Sequence, residues 1–253
     1  MKAFVSPQKL VQQIESNDPS LTEVDLSGNS SYQMKSTEFT KRIGDALRTN
    51  THITRLTLKN LGIDDGAVVS IADALKENKT LVYLDLEKNK ISSSGAEAIA
   101  QGLKSNTTLT ELNLLGQNKE FGEACLKTWI ECFEYNVHLL KITWRLNSRQ
   151  SFTINKCIVR NNEIQKRLKN GTNYDDLLPK NVVGLSRSEP VPEHNEPKTG
   201  GDQSTASTPQ PRQEEAPQEE NVQEEEAPQE EEAPQEEEVQ EEEVQEEEVQ
   251  EDN

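Results

Sequence analysis

The side chains able to do covalent or metal chemistry in this 253-residue chain are few: Cys125, Cys132 and Cys157, and His52, His138 and His194. The cysteines form an odd set without metal-ligand spacing. Cys125 and Cys132 fall a helical repeat apart beside Trp129, as small buried thiols would. His52 and His138 occupy equivalent turns ahead of two strands, and His194 lies in a stretch rich in Pro and Ser. No Ser/His/Asp set, phosphate loop or acid pair accompanies them. The chain therefore reads as a non-enzyme that needs no cofactor and no metal. Its distinctive chemistry is cationic: Arg145, Arg149, Lys156, Arg160, Lys166 and Arg167, with Lys169 beyond them and only Glu163 in opposition. Such a cluster can recognise acidic groups on a partner. It serves equally well as the polar outer face that any end-capping helix requires.

The elements that position these residues are repeats. Asn78 to Asn106 contains Leu81-x-x-Leu84-x-Leu86-x-x-Asn89, then Ile91, then a helical Ala98-Ile99-Ala100-Gln-Gly-Leu103. A shift of 28 residues recovers Ile53-Leu56-Leu58 on one side and Leu109-Leu112-Leu114 on the other. Leu21-Val24-Leu26-Asn29 and Leu139-Ile142-Trp144-Asn147 are the outer copies. This is the leucine-rich repeat pattern, and it predicts an α/β solenoid of about five strand-helix units. One strand and one helix cannot enclose a core, but a stack of them can, with short parallel strands about 4.8 Å apart. Asn29, Asn89 and Asn147 are expected to turn their amides onto backbone groups at the bends, with Leu61 and Gln117 interrupting that ladder.

Helices are expected from Ser6-Pro7, with Leu10, Val11 and Ile14 inward, and from Thr37, with Phe39, Ile43 and Leu47 inward. Others are expected from Asp65-Gly66, from a capping box at Ser94-x-x-Glu97, and from Glu123 to Phe133. The cationic cluster belongs to a longer helix over 151–168, whose Ile154, Cys157, Ile158 and Ile164 would close the far end of the stack. Asn170-Gly171 ends it. Outward strand positions would line the concave face, with Asp25, Thr57, Asp85, Asn113 and Thr143 in one row and Lys59, Glu87, Leu115 and Arg145 beside them. That surface lacks the single sign expected of a nucleic-acid binder.

Charge divides the chain. Residues 1–186 carry 24 Lys and Arg against 21 Asp and Glu, whereas the remainder carries 3 against 25, so the formal charge of −19 belongs to the tail. Repeats such as Gln213-Glu-Glu-Ala-Pro and Gln240-Glu-Glu-Glu-Val cannot offset the entropy of ordering them. The expected organisation is a repeat domain at 1–170, a flexible linker at 171–212 and a disordered acidic tail at 213–253. No apolar run suits a signal peptide or a membrane span, so a cytoplasmic location is expected, with the sequons at Asn29, Asn78, Asn106 and Asn170 idle.

Several stretches resemble the C-terminal leucine-rich-repeat half of the tropomodulin and leiomodin family. They are Ile14-Glu-Ser-Asn-Asp-Pro-Ser-Leu-Thr-Glu-Val-Asp-Leu26, Ala46-Leu-Arg-Thr-Asn-Thr-His-Ile53 and Ala74-Leu-Lys-Glu-Asn-Lys-Thr-Leu81. Phe152-Thr-Ile-Asn155 through Arg160-Asn-Asn-Glu-Ile-Gln-Lys-Arg167 is similar to the family's final capping helix. The resemblance implies actin binding at the slow-growing, pointed end of filaments and association with the cytoskeleton. It also implies that the six cations from Arg145 to Arg167 face the partner. The family's N-terminal tropomyosin-binding segments have no counterpart here, so tropomyosin binding is not expected and capping is expected to be weaker. Binding to nucleic acid or membrane is not expected either, and the protein should be a monomer. Two alternatives compete. Repeats of this ribonuclease-inhibitor-like type with an acidic tail also resemble the Ran GTPase-activating proteins, which would make the chain a regulator of a small GTPase. A generic protein-binding scaffold is the other.

Overall fold

The computed structural model describes residues 6–185. The first five residues, the linker expected beyond residue 185 and the acidic tail lie outside the described residues. Five strands, β1 (Glu23–Asp25), β2 (Arg55–Thr57), β3 (Tyr83–Asp85), β4 (Glu111–Asn113) and β5 (Lys141–Thr143), form one parallel sheet in sequence order. Between them run α2 (Ser30–Gln33), α3 (Ser36–Leu47), α4 (Asp65–Glu77), α5 (Ser93–Leu103) and α6 (Glu123–Cys132). α1 (Pro7–Glu15) precedes the sheet and α7 (Gln150–Asn170) follows it. This is the predicted α/β solenoid of five units.

The register shows why the spacing works. Val24, Leu56, Leu84, Leu112 and Ile142 stand opposite one another along the sheet, so the side-chain alternation of each three-residue strand sends one apolar residue inward. The helices pack behind them through Ile43, Ile71, Ile99 and Leu126, all fully buried. Adjacent helices approach so closely that a Cβ on Gly44 would lie 2.6 Å from the Ser70 backbone. Glycine there is a packing requirement.

Two asparagine systems hold the turns. At the strand-to-helix bend, Asn89 donates to Leu58 O and Leu86 O and accepts from Leu61 N and Ile63 N. Gln117 takes the same role one unit later, donating to Leu86 O and accepting from Ile91 N. The ladder expected through Asn29 and Asn147 is not formed. Asn29 caps α2 by accepting from Tyr32 N, and exposed Asn147 donates to Glu120. The longer Gln side chain thus does what its sequence position seemed to forfeit.

The second system lies at the opposite bends. Asn78, Asn106 and Asn136 each donate to two backbone carbonyls of the preceding unit and accept from two amides of their own loop. All three are buried, so the side-chain amides of the sequons at Asn78 and Asn106 are covered in the folded chain. The capping box expected at Ser94 is also replaced. α5 starts two residues earlier, at Ser93 with Ser92 as its cap, and Asp65 of the preceding unit accepts from Ser92 N and Gly95 N.

The packed chain continues past residue 170, where the repeat domain was expected to end. Leu178 is buried with Val137 and Ile164, and Val182 and Leu185 pack against the same cluster. Val183 N donates to Tyr135 O, and His138 Nε2 lies 3.1 Å from Val183 O. Residues 172–185 therefore form a strap over α7 and the turn that leads into β5.

Candidate interaction face on the terminal helix

α7 closes the stack because one side of it repeats what the units do. Ile154 and Ile164 are buried, and Cys157 and Ile158 pack against the core. Between them Asn161 donates to Asn136 O and Leu139 O, ending the buried asparagine system with a residue supplied by the cap. Gly171 terminates the helix in the left-handed conformation, with φ of 64°.

The six cations predicted for the partner separate into two groups. Arg160 is half-buried, and its guanidinium donates to Phe133 O at 2.8 Å and to Asn161 Oδ1 at 2.9 Å. It satisfies the carbonyl end of α6 and orients Asn161, and burial pushes its pKa down from the ordinary arginine value. Arg167 donates to Glu163 at 2.9 Å, to Asp176 at 2.7 Å and to Asn173 O, tying α7 to the strap. Its pKa is raised, first by the hydrogen bond to Glu163. Arg145, Arg149, Lys156 and Lys166 are exposed and make no ion pair among the described residues.

Sequence reasoning missed two members of the same face. Phe152 is 65% exposed and Val159 68% exposed. At 3.6 residues per turn, Phe152, Lys156, Val159, Glu163 and Lys166 point within about 40° of one direction, opposite buried Asn161. The Lys156 ammonium sits 4.5 Å from the centroid of the Phe152 ring, so a cation holds the aromatic surface in place without covering it. The signal was present as the seven-residue spacing of Phe152 and Val159 out of phase with Ile154 and Ile164. Arg145 lies farther along, at the lip of a cavity of about 220 Å³ whose lining includes Leu114 and Phe121.

Burial pushes the Cys125 and Cys132 thiols up to about 12 and raises Cys157, which disfavours the thiolate form of each. Among the described residues no group of three or more His, Cys, Asp or Glu is placed to hold a metal ion, and no helix is long and apolar enough to cross a membrane.

A family model described as the TMOD/LMOD leucine-rich domain matches residues 5–164, well over half of the sequence. The chain belongs to this family. A solved structure described as leiomodin-1 actin-binding site 2 is 30% identical, with a TM-score of 0.60 over 67% of this chain and 98% of its own. A tropomodulin C-terminal domain from Caenorhabditis elegans is 17% identical and shares the fold, with a TM-score of 0.60 over 66% of this chain and 100% of its own. No curated protein matches the chain in a sequence search. Membership in the TMOD/LMOD leucine-rich domain family leaves the regulator of a small GTPase without support.

Proposed function

We propose that this chain is a non-enzymatic actin-binding module of the cytoskeleton, acting as a monomer at filament pointed ends, and that the solvent face of α7 carries the contact. The observation that carries the reading is the pair Phe152 and Val159, exposed on a helix whose neighbouring cations Arg149, Lys156 and Lys166 are unspent. It sits in a domain with 30% identity to a leiomodin actin-binding site. A large apolar anchor ringed by polar groups is the usual composition of a contact centre. Between residues 141 and 185 the chain carries nine Lys and Arg against three Asp and Glu, which favours approach to an acidic surface and speeds encounter. Arg145, two residues past Thr143 on the concave side of the sheet, stands apart from this face. Arg160 and Arg167, spent on the fold, contribute by holding the helix in place.

The test is elongation of actin from seeds blocked at their fast-growing ends, with the full chain and with Phe152→Ala/Val159→Ala and Lys156→Glu/Lys166→Glu variants. The full chain slows growth, and each double variant shifts the half-effective concentration upward by about tenfold or more, the loss of roughly 1.4 kcal/mol or more from a contact centre. Unchanged potency in both variants would move the site off α7. No effect from the folded full chain would remove the proposed activity.

A further inference from the structure

The concave side of the sheet is a trough with a charge pattern of its own, away from the solvent face of α7. Its floor is the row of short residues in register, Asp25, Thr57, Asp85, Asn113 and Thr143. Three of these are tied down, since Asp25, Asp85 and Asn113 accept from the backbone amides of Ser27, Glu87 and Leu115. The rims are longer. One carries Arg55 and Tyr83, with the Arg55 guanidinium 3.9 Å from the Tyr83 ring centroid and the Tyr83 hydroxyl donating to Asp85. The other carries Lys59 and Glu87, paired at 2.8 Å. Arg55 and Tyr83 stand on β2 and β3, whereas Lys59 and Glu87 stand in the turns that follow those strands, so the rims flank the floor at the two strand ends.

Charge is banded by strand along this trough. β1 and the residues beside it contribute Glu23 and Asp25, and β2 contributes Arg55 and Lys59. β3 contributes Asp85 and Glu87, β4 contributes Glu111, and the last band is Lys141 and Arg145. The order is negative, positive, negative, negative, positive. Glu23, Asp25, Arg55 and Arg145 make no ion pair among the described residues. Strands repeat about every 4.8 Å and a helix turns every 5.4 Å, so a helix lying across the strands presents about one turn to each band.

We infer that the concave trough is a second docking surface, for an α-helical segment of a partner protein whose turns alternate basic, acidic, basic and are followed by an apolar and an acidic turn, the apolar side chain falling beside Leu115 just past β4. Lys59 with Glu87 and Glu111 with Lys141 are already paired across strands. Docking there exchanges ion pairs, so selectivity comes from register and polarity more than from net attraction.

The probe is an Ala-rich helical peptide of about 24 residues, with Lys, Glu, Lys, Leu and Glu at successive turns of one face. A control peptide of identical composition has Lys, Lys, Leu, Glu and Glu there, an order that matches the bands in neither direction. Binding to the full chain is read by fluorescence anisotropy at low salt. The alternating peptide binds at least about tenfold more tightly than the control. Both Arg55→Glu, which inverts one exposed band, and Glu23→Lys, which inverts another, reduce that preference while leaving actin binding unchanged. Equal affinity for the two peptides, no binding of either, or a preference that survives both substitutions would overturn the trough as a helix site. Loss of actin binding in Arg55→Glu, with its melting temperature unchanged, would overturn its separateness from the α7 face.

Discussion

Arg160 and Lys166 are six residues apart on one helix and carry the same charge, yet the structure assigns them opposite consequences. Replacing Arg160 with Ala leaves Phe133 O without its donor at 2.8 Å and removes two hydrogen bonds from the Oδ1 of fully buried Asn161. A hydrogen bond to a charged group contributes about 1.5–3 kcal/mol, and a stranded buried acceptor costs about 1–3 kcal/mol. Arg160 is only half-buried, so water can reach part of the vacated space and the loss should be about 2–3 kcal/mol. Lys166 is exposed without an ion pair, so Lys166→Ala should change stability by no more than about 0.5 kcal/mol. Urea unfolding followed by circular dichroism measures both. With a slope of about 2 kcal/mol/M, the midpoint for Arg160→Ala falls by about 1–1.5 M, while Lys166→Ala stays within about 0.3 M of wild type. Actin affinity, measured well below either midpoint, reverses the ranking: it drops for Lys166→Ala and is retained by folded Arg160→Ala. Equal midpoints for the two variants would refute the division of the cations into structural and exposed groups.

Other outcomes follow from the same coordinates. Asn106→Ala strands Leu75 O, Asn78 O and the amides of Thr108 and Leu109, and should cost about 3–5 kcal/mol in urea unfolding, whereas Asn147→Ala should cost under about 0.5 kcal/mol. Leu178→Ala should cost about 2 kcal/mol, and a chain ending at residue 170 should melt below one ending at residue 185, because only the latter keeps the strap. The three cysteines should resist a thiol reagent at neutral pH until the chain unfolds. Their folded pKa values lie above the unfolded value, with Cys125 and Cys132 near 12. Unfolded thiols therefore lose protons first, and stability should fall as pH rises from about 8.5 toward 12; a flat alkaline limb in Cys132→Ala and wild type alike would contradict this.

The solenoid was legible because its inward positions are set by a local rule repeated five times. Leu56, Leu84 and Leu112 recur at the same spacing as the strands they define, and no distant information is needed to place them. Polar positions obey another rule. Gln117 looked like a break in the bend ladder since consensus compares residue types, while its amide reaches Leu86 O across the same 31 residues that separate Asn89 from Leu58 O. Asn78 and Asn106 were read only as sequons and Asn136 was not singled out, because their partners are carbonyls about 28 to 33 residues away. The strap was hidden for a similar reason: Leu178 and Val182 show no periodicity, and Leu178 is buried, with Val182 partly covered beside it, only because Val137 and Ile164 present an apolar surface from two other elements.

The same contrast locates the interaction face. An internal helix of a stack is held by neighbours on both sides and by the sheet, so α3 to α6 spend most of their circumference on packing. α7 has a helix neighbour on one side only, with the strap beside its C-terminal turns. Burying Ile154, Asn161 and Ile164 satisfies the requirement for closing the core, which leaves its solvent half unconstrained by packing. Solubility alone would fill that half with polar residues, and Lys156, Glu163 and Lys166 meet the need. Phe152 and Val159 do not: two apolar side chains each about two-thirds exposed bring no folding energy to this chain in isolation. Their stabilising value is realised only when another surface covers them, and the apolar pair, more than the charges around it, is the ground on which we propose α7 as the partner-binding face.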